Sequence, residues 1–120
     1  MLEALLVLAF IAAIGGGAVL WSAFAADALF LGGLWIVATG FAFGIPTGFW
    51  YHVELRRVLL RRGVLPARWW LYPTRQHGEI PDDAWWRVMG WAYVGALGWL
   101  VTFAGCCVVG LGAAKLLLDA

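Results

Sequence analysis

His52 and His77 are the two histidines of the chain. Imidazole ligates haem iron and most transition metals, and two histidines facing each other between helices would hold a haem. His52 falls at the end of an apolar run, and His77 lies in a stretch flanked by Pro73 and Pro81. Neither is placed inside a membrane helix, where a haem ligand belongs. Hydrogen bonding at the membrane interface is the simpler expectation for both, and haem or quinone binding is the alternative. Arg75, His77 and Glu79 form a mixed polar group just ahead of Asp82 and Asp83. No nucleophile elbow, glycine-rich phosphate loop or zinc spacing accompanies it. Salt bridging within the loop is therefore the expectation, with no catalytic role. Cys106 and Cys107 are adjacent within an apolar run. Neighbouring cysteines rarely bridge each other, and two make neither a disulfide framework nor a metal site. They are read as small packing residues, and no metal is expected.

The basic residues are concentrated in one place. All seven arginines fall between Arg56 and Arg87, and the single lysine is Lys115. The pairs Arg56-Arg57 and Arg61-Arg62 are five residues apart, which on a helix brings the four guanidinia toward one broad side. Anionic lipid headgroups are the expected partners, and an acidic surface on another subunit is the alternative. Trp69, Trp70, Trp85 and Trp86 share this stretch, with Trp50, Tyr51 and Trp91 at its margins. Tryptophan and tyrosine collect at membrane–water interfaces because one end of the ring system is apolar and the other wet. These arginines and the four tryptophans are the expected contacts to headgroups or to a partner.

The elements that must position these residues follow from hydropathy. Of 120 residues, 64% are hydrophobic and only 12% charged, against about 25% charged in an average soluble domain. A soluble chain of this size buries too little of itself to hide so much apolar surface. Residues 2–24 form an apolar run with Glu3 at its start, and residues 28–51 form a second. At about 1.5 Å per residue each spans the roughly 30 Å hydrocarbon core, whereas one helix covering both would be about 75 Å long. A turn is expected near Asp27, the one charge between the runs. Gly15-Gly16-Gly17 is a competing break, but it leaves too few residues ahead of it to span. Ala23-Phe24-Ala25 resembles a cleavage site, yet no positive charge precedes the run, so the segment is read as a retained helix. A third run covers residues 88–114, preceded by Pro81-Asp82-Asp83, a good helix start.

The fold class expected is therefore all-α: an integral membrane protein with three transmembrane helices and a structured, arginine- and tryptophan-rich loop over residues 52–87. Residues 53–62 are expected to prolong the second helix into the headgroup region, with Gly63 ending it. The loop carries seven arginines against Glu54, Glu79, Asp82 and Asp83. Cytoplasmic loops are enriched in Lys and Arg. This places the loop and the N-terminus in the cytoplasm and the C-terminus outside, in a bacterial-type inner membrane. The formal net charge of +1 gives no attraction to nucleic acid, and no nucleic-acid partner is expected.

Gly40, Gly44 and Gly48 make a double GxxxG in the second run. Such a stripe lets a neighbouring backbone approach closely, which is how membrane helices associate without a hydrophobic driving force. Either another helix of the same chain or another subunit is expected against it. Pro46 within the stripe should kink the helix. The glycines of the third run (Gly90, Gly95, Gly98, Gly105, Gly110 and Gly112) form no one continuous face. No charged residue falls at mid-depth in any run, which argues against a self-contained pump or transporter. The expected function is that of a non-catalytic accessory subunit of a larger membrane complex, respiratory or photosynthetic assemblies being plausible hosts by analogy. Expected partners are membrane lipids and other membrane subunits. No cofactor is expected, with haem or a pigment left open. A haem- or quinone-binding anchor and a small homo-oligomeric channel or carrier are the alternatives.

Overall fold

A computed structural model describes all residues from Met1 to Ala120. The chain is helical and contains no strand. Helix α1 covers Leu2–Ala23, α2 covers Ala26–Arg62, and α3 covers Asp82–Asp119, with a 3-10 helix at Pro73–Glu79 before α3. α1, α2 and α3 are each long and apolar enough to cross a membrane. The chain divides into two compact units, one of residues 1–38 with 101–120, the other of residues 39–100.

In the first unit, α1 gives way to α2 through Phe24 and Ala25 alone. Phe24 is extended (φ −121°, ψ 146°) and its N–H still bonds Leu20 O. Asp27 sits in the first turn of α2, where a carboxylate meets the positive end of the helix dipole. The three glycines at 15–17 do not interrupt α1. The orphan carbonyls at the end of α1 are capped from far along the chain. Lys115 Nζ, on α3, donates to Trp21 O at 2.7 Å and Phe24 O at 2.9 Å. Its charge also lies 5.8 Å from the Trp21 ring centroid. Cations favour helix C-termini, so this contact joins the C-terminal end of α1 to the last turns of α3, which runs parallel to it.

α2 and α3 are held at backbone distance by glycine. In the first unit a methyl group on Gly33 would stand 2.6 Å from Val109 N, one on Gly105 2.7 Å from Val37 N, and one on Gly112 2.5 Å from Phe30 N. In the second unit a methyl on Gly98 would stand 2.5 Å from Gly44 Cα. The α3 glycines 98, 105 and 112 recur every seven residues, the repeat that keeps one face of a helix on a partner. This repeat corrects the expectation that the glycines of the third run lack a continuous face.

The second unit has the chain's main core: Tyr51, Leu55, Val58 and Leu59 of α2 against Ile80, Ala84, Val88 and Met89. The α2 positions follow i, i+4, i+7, i+8, one stripe of an amphipathic helix, while Arg56, Arg57 and Arg61 point away. That pattern explains why α2 runs on to Arg62 past the expected membrane limit at 51. Gly63 ends it in the left-handed conformation (φ 67°). The Val64 N–H reaches back to Leu59 O and the Gly63 N–H to Leu60 O, the two bonds of a Schellman stop. α3 begins at Asp82, within the expected start at Pro81-Asp82-Asp83 and ahead of the apolar run at 88, and Ala84 N–H bonds Pro81 O. Pro46 lies within α2 without ending it. The adjacent Thr47 hydroxyl donates to Phe43 O at 2.8 Å, the back-bond that a threonine makes to its own i−4 carbonyl within a helix.

Candidate functional site at the head of the helix pair

The polar chemistry converges in the second unit. Tyr51 is buried, and its hydroxyl lies 2.6 Å from His77 Nε2. These residues are 26 apart in sequence and meet because the 3-10 helix folds back over α2. Its start is fixed by Pro73, whose locked φ suits a first helical turn. Trp85 stacks edge-on against His77 at 6.3 Å between centroids. His52, the next residue on α2, donates from Nδ1 to Gly48 O at 2.9 Å and tilts against Trp69 at 6.0 Å. The hydrogen bond commits the Nδ1 proton of His52 and leaves Nε2 without one. Among the two histidines predicted as haem or quinone candidates, His77 thus has its Nε2 engaged by tyrosine.

One turn further along α2, Glu54 is buried with both oxygens in use. Oε1 accepts from Arg57 Nη1 at 2.6 Å, and Oε2 pairs with Arg87 Nε at 3.3 Å. The carboxylate ties α2 to α3, and its charge is compensated, as a buried charge must be. Arg62 Nη1 donates to Glu79 O at 2.5 Å and pairs with the Glu79 carboxylate at 3.5 Å. That clips the end of α2 to the end of the 3-10 helix. The four arginines expected to act together are therefore divided. All four are exposed, but Arg57 and Arg62 are held in ion pairs with Glu54 and Glu79, while Arg56 and Arg61 stand outside these pairs. The tryptophans divide likewise. Trp69 and Trp85 pack against the core, while Trp70 and Trp86 project outward, 59% and 75% exposed. Arg57 also lies 5.7 Å from the Trp50 ring centroid, within cation–π range.

Beneath the Tyr51–His77 pair runs a groove of about 210 Å³ between α2 and α3, bounded by Gly44, Gly48, Ala92, Gly95, Ala96 and Trp99, with Thr74 beside His77. The glycine stripe of α2 is used here within the chain. Gly44 abuts Gly98, and a methyl on Gly95 would meet Gly48 N at 3.3 Å. Gly40 is buried, and its carbonyl lies 3.2 Å from the position of a methyl on Gly98. Gly48 differs: a methyl there would meet nothing within 4 Å, because its α-carbon looks into the groove. No group of three or more His, Cys, Asp or Glu side chains is arranged to hold a metal ion. Cys106 and Cys107 are both exposed and unbridged.

Tyr51, Glu54, Thr74 and Arg87 belong to this site but were not singled out by the sequence as site residues. Glu54 carried the one available signal, a carboxylate on the apolar side of an arginine-rich helix. Comparison with protein-family models, with curated proteins and with solved structures found no match to the chain.

Proposed function

We propose that this chain is a three-span protein of a bacterial-type inner membrane, with its N-terminus and residues 52–87 on the cytoplasmic side and its C-terminus outside. We further propose that it serves as a non-catalytic accessory subunit of a larger membrane complex, an energy-transducing assembly being the favoured host. One observation carries the reading. Residues 52–87 form a packed platform, pinned by Glu54 and by Arg62–Glu79, that projects Trp70, Trp86, Arg56 and Arg61 outward. Tryptophan and arginine are the side chains that most often anchor protein interfaces. Presenting them on a preorganised surface lowers the ordering cost of binding. Anionic headgroups serve as a second partner for the same exposed arginines.

The test is affinity purification of the tagged chain from its own membranes in mild detergent. Stoichiometric membrane partners are expected. The double variant Trp70→Ala/Trp86→Ala should lose them while keeping its thermal unfolding midpoint. Recovery of the wild-type chain alone, as a stable monomer or as a homo-oligomer, would refute the accessory-subunit reading.

A further inference from the structure

We propose that the groove under the Tyr51–His77 pair is a binding site for the carbonyl-bearing ring of a lipid-soluble quinone. The site lies within residues 39–100 and needs no second chain, so it stands or falls independently of the accessory-subunit reading.

Size comes first. Pockets that enclose drug-sized ligands run to about 300–1,000 Å³. At about 210 Å³ this groove takes one ring and the start of a tail, and is too small for a haem macrocycle. Its lining is the next consideration. Gly44, Gly48, Ala92, Gly95 and Ala96 give flat, apolar walls, and the Trp99 ring borders them. Such walls accept a planar ring with little desolvation cost. The polar groups are gathered at one end, where Tyr51, His77 and Thr74 meet. A ligand held there has an acceptor at its head and hydrocarbon behind it.

The Tyr51–His77 bond itself favours an acceptor. If the tyrosine donates to Nε2, the proton of the neutral imidazole is on Nδ1 and remains free. If Nε2–H donates to the tyrosine oxygen, the hydroxyl proton remains free. In either arrangement the pair has one unspent donor, and the Thr74 hydroxyl adds another. A quinone carbonyl supplies the matching acceptor. The way in is at Gly48, where a methyl would meet nothing within 4 Å, whereas one on Gly44 would stand 3.3 Å from Gly98 Cα. The opening beside Gly48 is where the tail leaves the groove.

The test is calorimetric titration of the full-length protein in detergent with decylubiquinone, using decylbenzene as the probe with the same tail and no carbonyl. Saturable binding of one decylubiquinone per chain is expected, at least about tenfold tighter than decylbenzene. Gly48→Leu and, from the opposite wall, Ala96→Leu should each weaken decylubiquinone binding at least about tenfold by filling the groove. The double variant Tyr51→Phe/His77→Phe, which removes both possible donors of the pair, should weaken it about five- to tenfold, the worth of one neutral hydrogen bond, and leave decylbenzene unchanged. Equal affinity for the two probes would overturn the proposal, because the groove would then hold hydrocarbon only. Undiminished decylubiquinone binding by a folded Gly48→Leu or Ala96→Leu protein would also overturn it, since the ligand would sit elsewhere. Should both groove-filling variants fail to fold, the contrast between probes in wild type and in Tyr51→Phe/His77→Phe decides alone.

Discussion

At Glu54 a single carboxylate joins two helices by accepting from Arg57 on its own helix and Arg87 on the other. Its side chain is 7% exposed, while those arginines are 52% and 50% exposed. The glutamate therefore depends on its partners more than they depend on it, and solvent screening reduces the worth of each pair. Glu54→Gln keeps the shape and removes the charge. It is expected to cost about 1–2 kcal/mol and to lower the thermal unfolding midpoint in detergent. An unchanged midpoint would mean that the two arginines find water as good a partner. This residue also marks the limit of what local sequence shows. The charge and its neighbours on α2 could be read directly, and Arg57 lies three positions away. Arg87 and His77 could not be assigned as partners of Glu54 and Tyr51, because both pairings are made by the turn of the chain between α2 and α3. That turn rests on a 3-10 helix between two prolines, and its apolar residues carry no helical or strand period to read.

At the scale of elements, the three apolar runs were legible from hydropathy because lipid-length helices need uninterrupted apolar sequence. The extension of α2 to Arg62 was legible too, from the stripe of Leu55, Val58 and Leu59 and from the glycine that follows. Three features were not. Lys115 caps α1 from the far end of the chain, at a separation of 94 residues from Trp21. The expected glycine stripe at 40, 44 and 48 is unequal, since Gly44 is closed by Gly98 while Gly48 opens on a groove. The α3 glycines contact α2 at a seven-residue repeat that a search for GxxxG passes over. These inequalities give an ordering. Gly98→Ala would bring a methyl 2.5 Å from Gly44 Cα, Gly44→Ala one 3.3 Å from Gly98 Cα, and Gly48→Ala one with no neighbour within 4 Å. Overpacking costs about 1–3 kcal/mol where backbone must move, whereas alanine in an open helical position gains up to about 1 kcal/mol over glycine. Midpoints in a detergent melt should therefore rise in the order Gly98→Ala, Gly44→Ala, Gly48→Ala, with the last at or above wild type. Equal midpoints for Gly98→Ala and Gly48→Ala would mean that α2 and α3 do not touch at these glycines.

For the whole molecule, the proposed function depends on the three long helices, each long and apolar enough to cross a membrane, standing in hydrocarbon. α1 has no buried residue at all, and large apolar side chains such as Leu6, Phe10 and Ile14 are more than half exposed along it. In water that surface would be ruinous for so small a chain, while in a bilayer it is the ordinary outer face. In the proposed orientation, argued from the arginine excess, Asp27 lies on the outer side of the membrane and Gly78 on the cytoplasmic side. The most direct measurement is labelling with a membrane-impermeant maleimide in spheroplasts, in a background carrying Cys106→Ala and Cys107→Ala. The protein bearing Asp27→Cys should label at once, and the protein bearing Gly78→Cys only after the membrane is permeabilised. Labelling of Gly78→Cys in sealed spheroplasts, at the rate seen for Asp27→Cys, would contradict the account.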